Sequence, residues 1–523
     1  MSFSEEDKEV LNYFFTNLDK PVFAAKNFHP EVWALMQARY SRSSQGLRES
    51  FLDLLKEDPK NFEMLKSEIE KTKGGLEAKH ATEKAIQFME RWVLGFGHSS
   101  VAEGAVIGLG LEGVSIVATK VIEDNRLCSY IEKSTRYVSF NESSFYVPEA
   151  LQKSEYIDEI NQLLSLLFKT YMDLHEPVLE YVKKAAPIEQ MEQGTTEAAW
   201  KRAVASRRFD AIRYLLPAGT KTSLGWTINA RQLAHAISKL LSHPLKEINE
   251  IGEMVKEEAT KVLPSLLRFA DRNDYLVKTE QEMRELVNNI KIRKENQEPV
   301  RLVASPKNGD DIIIASILYR YKQNSFSKVL KQVKKMSQEE KEKIFDTYLK
   351  NMGKFDYPMR ELEHALFTFE IIIDYGAFRD LQRHRMCTQT NPLLTTELGY
   401  DVPQDIIDAG VEEPYRKAME KAKKVYNKIK DKYPLEAQYI IPLGYRKRYL
   451  LTMNLREVYH LIKLRTIPLA HTSYRRIAYK IYELMKKEHP FLSKYIECNY
   501  TEEELGRLRS EEATEKLKTV GPL

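Results

Sequence analysis

Two stretches of this chain repeat one pattern, and each has lost the half that the other keeps. The first runs Asp124-Asn125-Arg126-Leu127-Cys128-Ser129-Tyr130-Ile131-Glu132-Lys133-Ser134-Thr135-Arg136-Tyr137. The second runs Arg383-His384-Arg385-Met386-Cys387-Thr388-Gln389-Thr390 and continues through Asn391-Pro392-Leu393-Leu394-Thr395-Thr396. Where the second has Arg-His-Arg, the first has Asp-Asn-Arg. Where the first has Glu-x-Ser-x-Arg-Tyr, the second has Asn-x-Leu-x-Thr-Thr. A tandem repeat constrains the fold before composition does, because each copy must solve the same packing problem.

The repeat extends beyond the motif. Leu216-Pro217 followed by Trp226-Thr227-Ile228-Asn229-Ala230-Arg231 matches Ile441-Pro442 followed by Leu451-Thr452-Met453-Asn454-Leu455-Arg456. Proline and asparagine are displaced equally (442 − 217 = 225; 454 − 229 = 225). Glu103-Gly104-Ala105 corresponds to Glu363-His364-Ala365 at an offset of 260 (363 − 103), so the first copy carries an insertion of about 35 residues between these anchors. The expected organisation is a domain over 1–276, a charged linker over 277–298 and a second domain over 299–523. The linker lacks both core-forming apolar content and Gly/Ser flexibility, and it reads as a solvated helix ending before Pro299.

Pattern reading makes Leu366–Ile373 and Val114–Val117 strands. It makes 156–184, with a break near Pro177, and Ala230–Leu241, Pro414–Lys430 and Leu455–Arg465 helices. Each half is then a mixed sheet flanked by helices, an α/β (α+β) domain. A net charge of +4 over 523 residues gives no ground for nucleic-acid binding. Three cysteines cannot form a disulfide framework in so long a chain, and the equivalent positions of Cys128 and Cys387 suggest packing. No apolar run reaches membrane-spanning length and the N-terminus has no signal core, so a cytoplasmic location is expected.

The motif resembles that of the flavin-dependent thymidylate synthases, Arg-His-Arg-x-x-Ser-Tyr-x-Glu-x-Ser-x-Arg-Tyr. Residues 129–137 keep its second half closely and residues 383–385 keep its first. The resemblance implies FAD as cofactor, dUMP as substrate, and methylenetetrahydrofolate and NADPH as co-substrates. It also implies sites built across subunit interfaces, which for a fused pair means a homodimer of pseudo-tetrameric form. One family protomer supplies Arg-His-Arg and a late arginine; its partner supplies Glu-x-Ser-x-Arg and an arginine before Leu-Pro.

Carried onto this chain, these roles sort by half. The C-terminal half has Arg383, His384, Arg385 and Arg465, and the N-terminal half has Glu132, Ser134, Arg136, Tyr137 and Arg213. The expected dUMP contacts are Ser134, Arg136, Tyr137, Arg213, Arg383 and Arg465. Arginine suits a phosphate because its planar fork binds two oxygens at once. Arg465 is the expected catalytic residue, holding negative charge as uracil N3 ionises and C5 becomes nucleophilic. The expected flavin contacts are Arg383, His384, Arg385, Glu132, Asn454, Arg456, His460, Asn229, Arg231, Ser41, His98 and Ser100. No metal is expected, and no cysteine lies at a nucleophile motif.

Eleven residues separate Asn454 from Arg465, nearly a whole number of helical turns, so both address one face. The first copy has Leu240 at that position, and the second copy has Gln438 where the first has Arg213. One composite site is thus complete and its mirror image has lost both cation sets. Plainer readings stand beside these. Arg383–Arg385 could be a solvated basic cluster, Arg465 a cation on a helix C-terminus, Glu132–Tyr137 a polar strand edge, His460 and His98 structural. Two other functions remain open: a flavin and nucleotide binder acting on another pyrimidine nucleotide, and a non-catalytic nucleotide-binding protein. Asp380-Leu381-Gln382 and Thr388–Pro392, which flank the Arg-His-Arg core, leave base and folate recognition open.

Overall fold

A computed structural model describes residues 3–40, 45–57, 63, 101–141, 144–287, 289–292, 297–501 and 505–519. The chain divides into two compact units that cut across the sequence repeat: residues 1–112, 127–132 and 223–291 form one, and 113–126, 133–222 and 292–523 the other. The compact units are therefore not the two repeat halves. Parts of both copies lie together in the second.

Among the described residues, seven strands form two sheets. β1 (Val106–Ser115), β2 (Cys128–Glu132) and β3 (Lys221–Asn229) are ordered β1-β3-β2; β4 (Val300–Ala304), β5 (Leu366–Asp374), β6 (Thr388–Thr390) and β7 (Arg446–Asn454) are ordered β4-β5-β7-β6. β2 runs antiparallel to β3, as do β4 to β5, β5 to β7 and β6 to β7. The expectation of helices around sheets holds, and these antiparallel pairings make the architecture α+β. In β3 the side chains of Thr222, Leu224, Trp226 and Ile228 are buried in alternation, the period of a strand with one face in the core. β5 buries Phe367, Phe369, Ile371 and Ile373 against the core and pairs with β7 along nine residues, Leu366↔Asn454 to Asp374↔Arg446.

The expected strand Val114–Val117 is half right. β1 stops at Ser115, whose Oγ accepts from the Ala118 amide at 3.0 Å and caps the helix Ile116–Glu123. Asp374 does the same in the second copy, accepting from the Ala377 amide at 2.7 Å and starting the helix Tyr375–Gln382. The helices Ala230–Leu241 and Leu455–Arg465 fall where expected, capped by Asn229 and Asn454, which accept from the amides of Gln232 and Glu457 at 2.9 Å. The break near Pro177 comes at Leu174, between Ile157–Asp173 and His175–Ala185. The linker helix is Asp274–Val287 and ends well before Pro299. Proline restricts only its immediate predecessor, and beyond Val287 the exposed Ile290 and Ile292 have no face to bury.

Within the second unit the Leu216-Pro217 and Ile441-Pro442 segments cross with local two-fold symmetry. Pro217 and Pro442 form an antiparallel bridge. The Ala218 amide donates to the Ile441 carbonyl and the Leu443 amide to the Leu216 carbonyl, both at 2.8 Å. Next to them, Gly219 donates to Tyr439 at 2.7 Å and Gly444 to Tyr214 at 3.0 Å. Each bond is the image of its partner under the offset of 225 (443 − 218, 444 − 219). A Cβ at Gly219 would lie 2.7 Å from the Tyr146 carbonyl, and one at Gly444 would lie 3.0 Å from the Tyr214 Cβ. Only glycine permits so close a crossing. Bridges Phe145↔Thr220 and Tyr400↔Tyr445 repeat at an offset of 255 on the upstream strand residue (400 − 145), so most of the first-copy insertion falls after Phe145. There it forms the added helix His175–Ala185 and lengthens the turn into Glu197–Ile212.

Candidate functional site

In the second unit, first-copy and second-copy arginines gather around buried carboxylates. Arg213 follows the helix Glu197–Ile212 and is 2% exposed. Its Nη1 donates to Thr135 Oγ1 at 3.4 Å, while its Nε and Nη2, both buried, have no hydrogen-bond partner among the described residues. Two unmet buried donors on a cation are costly unless a ligand supplies acceptors. Arg136 is held differently. Its Nε and Nη2 donate to the two oxygens of Asp210 at 2.5 and 2.6 Å, and its Nη1 to the Tyr474 hydroxyl at 3.3 Å. Burial alone would raise the Asp210 carboxyl, but the Arg136 charge outweighs it and keeps Asp210 well below the usual carboxylate range. Ser134, half-buried, accepts from the Arg136 amide at 3.2 Å, so this hydroxyl also shapes the loop.

The second copy contributes the helix end Gln382–Arg383 and the helix Leu455–Arg465. Asp380 is buried and bonded by Arg383. Burial pushes its carboxyl up, yet Arg383, Arg136, Arg213 and Arg465 together hold it far below its ordinary value. Four cations, two from each copy, therefore converge on one carboxylate. Arg465 donates through Nη2 to the Asp380 carbonyl at 2.8 Å and through Nε to His384 Nε2 at 2.8 Å, and its guanidinium lies 5.3 Å from the Tyr474 ring centre. His384, 4% exposed, meets Glu457 Oε1 at 2.7 Å through Nδ1. Burial, then the charges of Arg465 and Arg383, keep this imidazole neutral.

Asp374 and His471 complete the cluster. Burial and the nearby Asp401 push the Asp374 carboxyl up to about 6, against the pull of Arg213, and Asp374 accepts from the Ser473 hydroxyl. His471 is pushed down to about 3 by burial and by Arg213. A cavity of about 650 Å³ opens beside Arg136, Asp210, Tyr214, His471 and Ser473.

The other expected site residues fall out as follows. Tyr137 is exposed, with the Arg507 guanidinium 4.6 Å over its ring. Arg385 is exposed; His460 is half-buried, its ring 5.4 Å from that of His384. Arg456 is bonded to the Pro358 carbonyl at 2.7 Å and to Glu363 at 3.0 Å. Its first-copy equivalent Arg231 pairs with Glu103 at 2.6 Å, so in both copies this arginine joins its helix to the Glu-x-Ala segment. In the first unit, Glu132 ends β2 opposite Leu224 and Asn229 caps its helix. Ser41, His98 and Ser100 lie outside the described residues. Cys387 is buried, which raises its thiol far above the ordinary value, as a packing role requires. Sequence reading missed Asp210, Asp374, Asp380 as a hub, Glu457, His471 and Tyr474. Asp210 and Glu457 had a usable signal, each three residues from an anchor (Arg213 and Asn454) and so one helical turn away.

The mirror positions are occupied by internal bonds. Asp124, equivalent to Arg383, pairs with Lys120 at 2.7 Å and accepts from Gln382 at 2.7 Å. Gln438, equivalent to Arg213, accepts from the Leu394 amide and donates to the Leu435 carbonyl, both at 3.0 Å. Lys447 is buried with its amine on the Pro392 carbonyl, and burial brings it down to about 7.

The sequence profile of the thymidylate synthase complementing proteins matches this chain twice, over residues 32–265 and 301–491. The chain belongs to that family. A UPF0159 protein of Chlamydia muridarum is 35% identical over 529 residues, covering 97% of this chain and 98% of that one. A UPF0159 protein of Thermoplasma acidophilum is 30% identical over 466 residues, 82% of this chain and 92% of its own. Other similarities are more distant. A flavin-dependent thymidylate synthase of Thermococcus onnurineus is 25% identical over 198 residues, 36% of this chain and 69% of that protein. Among the described residues no helix is long and apolar enough to cross a membrane.

The buried histidines give this family member a stability that depends on pH. Unfolded histidine titrates near 6.5, whereas His471 and His384 stay neutral in the fold well below that. Below pH 6.5 the unfolded chain therefore binds more protons, and stability that is full above that value falls as pH drops. Asp374 acts in the opposite direction. Its folded value near 6 exceeds the 3.8 of the free group, so its contribution is complete at low pH and lost as pH rises through 6. Two histidines outweigh one carboxyl. The melting temperature should fall between pH 7.5 and pH 5, and His471→Gln should flatten that slope. A melting temperature that rises on acidification would contradict the assignment.

Proposed function

We propose that this chain is a thymidylate synthase of the flavin-dependent type, methylating dUMP reductively to dTMP at one composite site in its second unit. The methylene carbon comes from methylenetetrahydrofolate and the electrons from NADPH. The carrying observation is the meeting of cations from the two copies: Arg136 of the first and Arg465 of the second share Tyr474, Arg383 bonds Asp380, and the charge of Arg213 acts on that same carboxylate. The unmet donors of Arg213 favour an anion beside it, and a nucleotide phosphate supplies the acceptors. Ser134 and Arg136 flank it, leaving Tyr137 at the rim. Arg465, fixed at two points, faces the base and stabilises negative charge as N3 gives up its proton, which raises the reactivity of C5.

The family is the ground for FAD, and the residues fit a dinucleotide. Arg383 and Arg385 follow the helix Tyr375–Gln382, and Asn454 and His460 lie one to two turns apart at the cap and in the body of the helix Leu455–Arg465. A bound flavin supplies the hydride chemistry; these side chains would hold and orient it. A homodimer with pseudo-tetrameric form accompanies this reading, and light scattering should give twice the 60.9 kDa chain mass. A monodisperse monomer would contradict it.

The test is tritium release from C5-labelled dUMP by protein purified with its yellow cofactor. Release dependent on methylenetetrahydrofolate and NADPH is the expected outcome. One observation favours a second reading. Asp380 is an ionised carboxylate, able only to accept hydrogen bonds, at the hub of the site. A pyrimidine with an exocyclic amine would match it better than uracil, so labelled dCMP belongs in the same assay. No release from either nucleotide would leave a binding protein.

A further inference from the structure

Glu457 lies outside the set of residues that the repeat marks for chemistry, yet it is buried at 7% exposure in the first turn of the helix that Asn454 caps. Its Oε1 is 2.7 Å from His384 Nδ1, and the far nitrogen of that ring receives Arg465 Nε at 2.8 Å. A guanidinium can only donate. His384 Nε2 must therefore carry its lone pair, and the ring proton sits on Nδ1, where Glu457 accepts it. We propose that Glu457 is a positioning residue: it fixes the Nδ1–H tautomer of His384, and His384 in turn aims the Arg465 guanidinium. This rests on the reading of Arg465 as the group that faces the nucleotide base.

The repeat gives independent support. The first-copy equivalents of Glu457, His384 and Arg465 are Gln232, Asn125 and Leu240 (457 − 232 and 465 − 240 = 225; 384 − 125 = 259). All three members of the chain of bonds are replaced together in the copy whose cation set is lost. Arg465 has a second anchor, the Asp380 carbonyl at 2.8 Å, so the relay and this carbonyl fix its planar fork from two sides. The groups facing His384 are Glu457, Arg465, Arg383, Asp380 and the His460 ring.

The ligand atoms of His384, Glu457 and His460 lie within 4.8 Å of one another, which invites a metal. The bonding pattern opposes one. A metal needs an imidazole lone pair, and here Nδ1 carries the proton while the Nε2 lone pair is taken by Arg465. A histidine on a metal donates a hydrogen bond from its free nitrogen to an acceptor behind it, whereas Arg465 donates to His384 Nε2.

The experiment is nitrogen NMR of the full-length protein labelled with ¹⁵N-histidine, with His384 assigned by its loss in His384→Gln. The wild type should show protonated Nδ1 and unprotonated Nε2 from pH 8 to 5.5. Glu457→Ala should admit the Nε2–H form alongside it, because only Arg465 then opposes that tautomer and can swing away from the ring, while Glu457→Gln, whose amide oxygen still accepts, should keep the wild-type preference. In turnover, Glu457→Ala should lower kcat by about 100-fold, the effect of small misplacements of a reacting group, with the nucleotide KM changed less than about threefold. Glu457→Gln should recover most of the loss. An unchanged tautomer in Glu457→Ala, an Nε2–H signal in the wild type, or His384 resonances shifted by added zinc would each overturn the proposal. The tautomer result does not depend on activity. A wild type that releases no tritium would instead refute the functional reading, leaving the NMR result to judge the relay.

Discussion

Arg465→Ala is expected to reduce turnover by about two to three orders of magnitude, the loss typical of removing one preorganised donor from a developing negative charge. The Arg465 side chain is firmly held. Its Nε is spent on His384 and its Nη2 on the Asp380 carbonyl, so the remaining Nη1 edge has one direction to point. A donor that needs no reorganisation at the moment of reaction contributes most to the barrier. Arg465→Lys should recover little, because one ammonium cannot reproduce both anchors while also reaching the base. Bound flavin should stay near the wild-type amount, read from its visible absorbance, since Arg465 is spent on His384 and Asp380. A variant that turns over within tenfold of the wild type would remove Arg465 from the chemistry. One that loses its flavin would move it into the cofactor site.

Much of this arrangement was legible in the chain because duplication makes a sequence its own reference. The offset of 225 located Asn229 and Asn454, and both cap the helices that the pattern placed behind them. The same comparison identified Leu240 and Gln438 as losses, and Gln438 is committed to backbone. Other features left no periodic trace. Val114-Ser-Ile-Val reads as a β-branched run, but the capping hydroxyl of Ser115 turns it into a helix at Ile116, a local bond that hydrophobicity does not register. Asp374 and Asp380 were illegible for a different reason, since they look like ordinary polar residues until folding brings the charge of Arg213 to bear on them. Asp210 showed only its place one turn before Arg213, and nothing marked it as the partner of Arg136, 74 positions away. Sequence marked the cations by their motif and gave no hint that several are already neutralised. Nor did the repeat boundaries foretell the compact units, because the crossing at Pro217 and Pro442 brings the middle of the first copy together with the second.

That neutralisation changes how the phosphate site must be tested, and it yields the second large effect. Arg136 and Asp210 form a two-point ion pair with side chains 11% and 21% exposed. Arg136→Ala alone would strand the Asp210 carboxylate, and breaking such a pair costs about 3 kcal/mol, the lower end of the buried range because some solvent reaches it. Weak nucleotide binding in that variant would then be confounded with partial unfolding. Replacing both partners, Arg136→Met with Asp210→Leu, removes the charge and its counter-charge together and should restore most of the stability, as apolar replacements of ion pairs commonly do. Urea denaturation of the single and double variants measures this directly. Nucleotide affinity should not follow stability. With a charged donor to the phosphate gone, dUMP should bind about 10- to 150-fold more weakly in the double variant, equivalent to roughly 1.5–3 kcal/mol. Calorimetry on the wild type should give one nucleotide per chain, because the mirror positions Asp124 and Gln438 are bonded to Lys120, Gln382 and backbone and offer a phosphate nothing. Two equivalent sites per chain would mean that the mirror half still binds. Unchanged affinity in a stable Arg136→Met, Asp210→Leu protein would mean that the phosphate rests on Arg213 without help from Arg136, and the division of roles between the two copies would have to be redrawn around Arg213.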